Sequence, residues 1–267
     1  MTMAAGTIEY SLSTAKSYVE GTGFSLLLEE LDAALEGPVA SSLFDEEGID
    51  NLTALLESVV DTEFDRQEIK RVLESNKSIE SWRVGEALAE SYLDHHRECY
   101  FPWPDSRDER KSGSSLPGAD LVGLQQEGDE LRFAFGEVKT SSDKKYPPTA
   151  MYGRTGLKQQ LEDLRDKVTI RDDLVKYLGH RAHSSSWRDH YIAASKRYIS
   201  DNADVSLFGI LVRDVQPHED DLRARVNKLC KDCPDAMGIE LLAIYLPEHS
   251  IESLGEKVVA IKKGGAQ

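Results

Sequence analysis

LPGADLVGLQQEGDELRFAFGEVKTS, residues 116–141, is the stretch on which the fold turns. Two apolar runs, LPGADLVGL and ELRFAFGEVKTS, are joined by Gln126-Glu127-Gly128-Asp129. Gly128-Asp129 fits a two-residue turn with glycine first, the preference of a type II′ hairpin. In that register Asp120 lies opposite Glu137, Val122 opposite Phe135 and Leu124 opposite Phe133. Side chains alternate along a strand, so Phe133, Phe135, Glu137 and Lys139 share one face. Asp120, Val122 and Leu124 share it on the partner strand. That face is apolar near the turn and ends in two acids and a lysine.

Residues directly opposite across a hairpin have Cβ atoms about 4.5–5.5 Å apart. Two carboxylates held that close repel unless a cation joins them. Asp120 and Glu137, with the backbone carbonyl of Val138, form a hard oxygen site suited to Mg²⁺ or Mn²⁺. A metal there activates a water and polarises a phosphoryl oxygen. Lys139 stands on the same face, placed to offset charge that builds in a transition state. These are the parts phosphodiester hydrolysis needs. The plainer reading of the same residues is an ion-pair ladder on a sheet edge.

Working outward, the spacing predicts a helix over about 78–99, ended by Phe101-Pro102-Trp103-Pro104. TGLKQQLEDLRDKV (155–168) is a strongly amphipathic helix, and further helix covers about 170–199. VSLFGILV (205–212) reads as a buried strand, followed by a helix over 219–230 and a strand ELLAIYL over 240–246. Residues 7–78 read as mostly helical, with SLLLEELDAALEG (25–37) stopped by its glycine, then NLTALLESVV (51–60) and RQEIKRVLE (66–74). The tail from Lys262 to Gln267 reads as frayed. The order of elements gives an α/β or α+β fold with a small central sheet. Two units are expected: an acidic helical lobe over 1–78 and a second domain over 79–267.

Composition narrows the function. The 267 residues carry a net charge of −16. Residues 1–80 hold 17 acids and 5 bases, whereas residues 131–200 hold 8 acids and 14 bases. The middle of the chain is therefore suited to a polyanion, while the acidic front suits a partner or a masking role. No apolar run reaches the length of a membrane span. The start lacks the basic and apolar regions of a secretion signal, and three cysteines argue against a disulfide scaffold, so a reducing cytoplasm is expected. Cys230-Lys231-Asp232-Cys233 is a lone CxxC without a second pair or nearby paired histidines, a weak zinc signal. No phosphate-binding GxxxxGK[ST] loop and no GxSxG elbow is present.

GAD120LVG followed by FGE137VK139TS, with a Glu-bearing helix before and a Gln-bearing helix after, resembles the PD-(D/E)XK nuclease superfamily over roughly residues 80–212. The acidic front, the LPGAD…GEVKTS arrangement and the length further resemble the HamA family, the nuclease subunits of the Hachiman anti-phage system. The resemblance implies a restriction-endonuclease-like mixed sheet flanked by helices, dependence on Mg²⁺ or Mn²⁺, and hydrolysis of a DNA backbone. It implies metal-ligand roles for Asp120 and Glu137 and a catalytic role for Lys139. It also implies an extra acid from the preceding helix, Glu86 ahead of Glu90, because Gly85 permits close approach to the sheet. In the later helix Lys158 and Gln160 stand near the positive end of the helix dipole, and with Lys144, Lys145 and Arg154 they are the residues expected to hold a phosphate backbone. A separately encoded helicase or ATPase subunit is the implied partner. The alternative from another class is an inactive nucleic-acid-binding or scaffold module of a DNA-processing complex.

Overall fold

The computed structural model describes residues 2–16, 18–59, 67–69, 71, 78–104, 107–108 and 118–264. Its centre is a seven-stranded mixed sheet. The strands are β1 (Thr7–Ser13), β2 (Val19–Ser25), β3 (Cys99–Tyr100), β4 (Leu121–Glu127), β5 (Glu130–Ser141), β6 (Val205–Arg213) and β7 (Gly238–Tyr245), in the spatial order β1-β2-β7-β6-β5-β4-β3. The four central strands, β2, β7, β6 and β5, run parallel, and an antiparallel pairing closes each side. Every residue of β6 is buried. That is what a continuous apolar run becomes when helices cover both faces of a parallel sheet.

One face is covered by α5 (Leu157–Asp166), α6 (Val168–Ala182), α7 (Arg188–Ser200) and α8 (Arg223–Cys230). The stripe of Leu157, Leu161 and Leu164 meets Phe133, Phe135, Leu207 and Leu211 there. The break between α5 and α6 is stabilised by the buried Arg171. Its guanidinium donates to the carbonyls of Leu164 and Arg165, which have no partner within their own helix. The other face is covered by α1 (Leu28–Ala34), α4 (Ser81–His96) and α9 (Leu254–Gly264), through Leu31, Val84, Leu88, Leu93, Leu254 and Val258.

The β4–β5 hairpin has the register its sequence dictates. Leu121 pairs with Gly136, Val122 with Phe135, Leu124 with Phe133 and Glu127 with Glu130. Gly128 takes φ 60°, the left-handed value that the first position of a type II′ turn requires.

The front of the chain corrects the expectation of a mostly helical lobe over 7–78. Residues 7–25 form the β1–β2 hairpin, and β2 joins the sheet beside β7. The reason is visible in Ile8, Tyr10 and Leu12, which alternate with polar residues at the period of a strand. Gly21 and Gly23 leave the upper surface of β2 open, so that Val226 of α8 packs over one and the ring of Tyr10 lies across the other. Gly37 also acts differently from a stop. With Pro38 it forms a kink inside a π-helical turn (Leu35–Val39), and the chain resumes as α2 (Ala40–Phe44). Met3, Phe24, Leu26, Leu31, Leu35 and Val39 share one core with Val84, Leu88, Ile210 and Leu242. A domain boundary at residue 78 therefore does not separate the start of the chain from the sheet. Among the described residues α3 (Glu46–Glu57), which buries none of its residues, fits the picture of an acidic appendage. Most of RQEIKRVLE (66–74) lies outside the described residues, as do the last three residues of the tail, while Lys262 and Lys263 belong to α9.

Among the described residues no helix is long and apolar enough to cross a membrane.

Candidate active site

Asp120 immediately precedes β4, and the Leu121–Gly136 pairing places it across from Glu137. Glu137 and Lys139 lie two apart on β5, and their side chains point to the α5 face. Lys139 Nζ stands 3.3 Å from Asp120 Oδ2 and 3.3 Å from Glu137 Oε2. The backbone N–H of Val138 donates to Asp120 Oδ2 at 2.8 Å, which fixes the Asp120 carboxylate against the sheet. The Val138 side chain is buried on the opposite face. The two carboxylates and the lysine thus converge as the hairpin register requires, and it is the N–H of Val138, not the carbonyl expected as a ligand, that meets them.

Burial is uneven across the three. The Asp120 and Lys139 side chains keep 13% and 21% of their surface, whereas Glu137 is wholly buried. The cause is the neighbouring strand. Gly209 of β6 is the register partner of Glu137, and its missing side chain lets Leu161 of α5 press onto the sheet. Glu137 is consequently pushed up to about 9, first by burial and then by the Asp120 charge, with Lys139 opposing. Without a further cation the acid pair therefore holds a proton at neutral pH. Glu137 Oε1 is buried with no hydrogen-bond partner, and so is Gln160 Oε1 in α5.

This donor set fits a divalent cation of the Mg²⁺ or Mn²⁺ kind. Two acids meet, one with an unpartnered oxygen, and hard ions of this type bind one or two carboxylates and complete their shell with water and substrate oxygens. Among the described residues no group of three or more His, Cys, Asp or Glu side chains is gathered as a metal cage. A closed structural zinc site is therefore not what the residues offer.

Glu86 does not join Asp120 and Glu137 in such a group. As expected, Gly85 lies tight on β5, where an added Cβ would run into Thr140 Oγ1. But Thr140 faces the side of the sheet opposite Glu137 and Lys139, and α4 packs there. Glu86 instead pairs with Arg83 at 3.2 Å, and Glu90 accepts from Ser42. Lys144, Lys145 and Arg154 are exposed on the segment between β5 and α5, and Lys158 and Gln160 are half-buried in the first turn of α5. All five follow directly from the strand that carries Glu137.

Three residues in this neighbourhood went unread in the sequence. Asp143 accepts from the backbone N–H groups of Lys145 and Thr149 and from the Thr149 hydroxyl, which hold its carboxyl down at about 2. Tyr146 donates to the Gln216 carbonyl at 2.9 Å. Arg213, at the end of β6, donates to the Lys145 carbonyl at 3.1 Å. The first belongs to a common turn chemistry. The other two contacts are long-range and leave no local signal.

A cleft of about 510 Å³ adjoins the site, lined by Ala119, Val122, Gln160, Leu164, Leu174 and Tyr177 among others. A cleft of about 610 Å³ lies at the far ends of the same strands, lined by Glu20, Arg97, Arg132, Arg197 and Glu240, and holds none of the residues above. Cys230 and Cys233 are free thiols, and burial raises the Cys233 thiol to about 11. His95 and His96 bond the backbone carbonyls of Ser91 and Met3. Compared with models of known protein families and with curated proteins, the chain matches none.

Proposed function

We propose that this chain is a divalent-metal-dependent nuclease that hydrolyses DNA phosphodiester bonds. One observation carries the reading: Asp120 and Glu137, far apart in the chain, converge with Lys139 at 3.3 Å from both, and one oxygen of the buried acid has no partner. A buried carboxyl with one unpartnered oxygen is costly, and strongly perturbed acids beside a cleft mark candidate functional sites.

Asp120 and Glu137 would hold the ion, which when bound supplies Lewis-acid polarisation of the phosphoryl oxygen and an acidified water. The chain's own residues do the rest. Val138 N–H fixes Asp120. Leu161 over Gly209 keeps solvent from Glu137. The Lys139 ammonium, which keeps a fifth of its surface, stands where negative charge would accumulate on the phosphate. Lys144, Lys145, Arg154 and Lys158 offer positive charge along the adjoining segment, which positions a backbone without reading its sequence.

On the family resemblance, the nuclease is the effector of a cytoplasmic anti-phage complex held in check by a helicase or ATPase subunit. The exposed acidic α3 is the natural surface for that subunit. A second reading has one observation in its favour. Lys139 already bridges both carboxylates, as it would in a purely structural ion-pair cluster of a DNA-binding or scaffold module.

A cleavage assay separates the two. Labelled duplex and single-stranded DNA are incubated with Mg²⁺, with the chain alone and with whatever subunit copurifies from the native host. Cutting that is lost in Glu137→Ala and Lys139→Ala, with the fold intact, supports the nuclease. Absence of metal-dependent cutting in both preparations leaves the scaffold reading.

A further inference from the structure

Arg213 closes β6, a strand otherwise made of apolar and small residues, and it is completely buried. A charge in that position calls for an account. Its ion-pair partner is Asp221, also fully buried, at 3.5 Å from Nε. Asp221 is held in turn by the Tyr245 hydroxyl at 2.8 Å. The Tyr245 hydroxyl also lies 3.1 Å from the His218 carbonyl and shares a 2.9 Å hydrogen bond with the Tyr10 hydroxyl. Tyr10 sits on the edge strand β1 and reaches β7 only because Gly23 leaves its path across β2 open. Tyr10 of β1, Tyr245 of β7 and Asp221 of a short 3-10 turn thus line up behind one guanidinium, whose Nε and Nη1 make no hydrogen bond of their own.

The remaining contacts of Arg213 point to one place. Nη2 donates to the Lys145 carbonyl at 3.1 Å, and the guanidinium lies 5.7 Å from the ring centroid of Tyr146. Tyr146 is itself tied to the carbonyl of Gln216, three residues beyond Arg213. Ser141, the last residue of β5, is the register partner of Arg213. The segment so gripped begins where the catalytic strand ends and carries the exposed Lys144 and Lys145.

We infer that Arg213 is a positioning residue: it fixes the Lys144–Tyr146 segment at the end of β5, so that the two lysines present their ammonium groups to a nucleic-acid backbone beside Asp120 and Glu137. The inference rests on the nuclease reading for the identity of the polyanion, but not for the anchoring. Arg213 touches no substrate. It acts through the Lys145 carbonyl, with the Asp221 carboxylate as its buried counter-charge.

The test uses the full chain, a fluorescein-labelled duplex oligonucleotide, and Ca²⁺ in place of Mg²⁺. Arg213→Lys keeps a cation beside Asp221 but removes the planar fork. It is expected to speed hydrogen exchange of the amides at 145 and 149 while those of Leu207–Leu211 and Leu241–Ile244 stay protected. It should weaken duplex binding on the order of tenfold. In a Lys144→Ala/Lys145→Ala background, Arg213→Lys should weaken binding no further, which a general loss of structure cannot mimic. Equal weakening in both backgrounds, or unchanged exchange at 145 and 149, overturns the inference. Should Arg213→Lys fail to fold, Tyr146→Phe, which cuts the tether to Gln216, must show the same pattern at smaller size, and additive behaviour there overturns it equally. Absence of duplex binding by the native chain, both alone and with its copurifying subunit, defeats the nuclease reading, while the exchange measurement still decides the anchoring.

Discussion

Two charged clusters lie at opposite ends of the same sheet, and they are built on different principles. At the far end, acids and bases match. Arg97 grips Glu240 with both carboxylate oxygens at 2.8 Å, and Arg197 pairs with Asp204 at 2.6 Å and Glu127 at 2.8 Å. At the β5 end, two acids share one lysine, and the buried one keeps an oxygen without a partner and is pushed up to about 9. In the first cluster each arginine has an acid within ion-pair reach, although Arg132 Nε and Arg197 Nη1 are buried without a hydrogen bond. In the second, the proton that Glu137 keeps at neutral pH stands where a second cation would. One end of the sheet sets arginine forks against its acids, and the other offsets two acids with one lysine and a proton, which is the arrangement behind the proposed metal site.

Four experiments break or sharpen that contrast. The largest effect belongs to Lys139→Ala. If the β5 cluster is catalytic, metal-dependent cutting falls roughly 10²–10³-fold, the range for losing one charge-stabilising group. Unaltered cutting with a lowered melting temperature would make Lys139 a structural ion-pair partner instead.

Next comes Glu137→Gln. Because the Glu137 proton is held more tightly in the folded chain than at its ordinary 4.5, the fold binds more protons than the unfolded chain between 4.5 and about 9. Stability in chelator is then full below about pH 4.5 and falls as pH rises towards 9, at up to ~1.4 kcal/mol per pH unit from this group. The glutamine variant should lose this slope, melt higher than the native chain at pH 8 without metal, and lose the stabilisation that Mg²⁺ gives the native chain. Thermal melts across pH, with and without Mg²⁺, read all three. Parallel pH profiles for the two proteins would remove Glu137 from the account.

Arg97→Ala tests the other cluster. It leaves Glu240 short of its partner in a cleft where the carboxylate is mostly buried, so stability should drop by about 1–2 kcal/mol, discounted for the partial exposure of Arg97. Cutting by the variant should match the native rate. A selective loss of activity would show that the far cluster also serves the chemistry. The smallest effect is that of Lys144→Ala/Lys145→Ala. Melting should move by less than about 0.5 kcal/mol, because both side chains are exposed. The salt dependence of duplex binding should lose roughly two counterions. An unchanged salt slope would place the DNA elsewhere.

Legibility varied along the chain for physical reasons. The β4–β5 register could be read because a tight turn and a two-residue period fix it locally, and Val122 opposite Phe135 follows without knowledge of the rest. The β6 run and the α5 stripe were equally plain. The β1–β2 hairpin was misread because the leucine-rich residues that follow it bias the whole front towards helix, while Ile8, Tyr10 and Leu12 give only a short alternation. Gly37 reads locally as a stop because glycine commonly ends helices. Buried Leu35 and Val39 instead hold the chain on the core through a kink. Glu86 was placed near the site through its neighbour Gly85, and the close approach is real, but the alternation of β5 puts Thr140 and Lys139 on opposite faces.

The sequence by itself determined that Asp120, Glu137 and Lys139 share one face of a hairpin, since turn type and strand period are local properties. Only the tertiary structure decided that Glu137 is sealed from water under Leu161 while Lys139 is not, that α4 brings its acids to the other side, and that Arg213 reaches across to Lys145. Burial, and with it the proton affinity of a carboxylate, depends on which distant elements pack over a residue. Nothing in the residue's own neighbourhood along the chain encodes that.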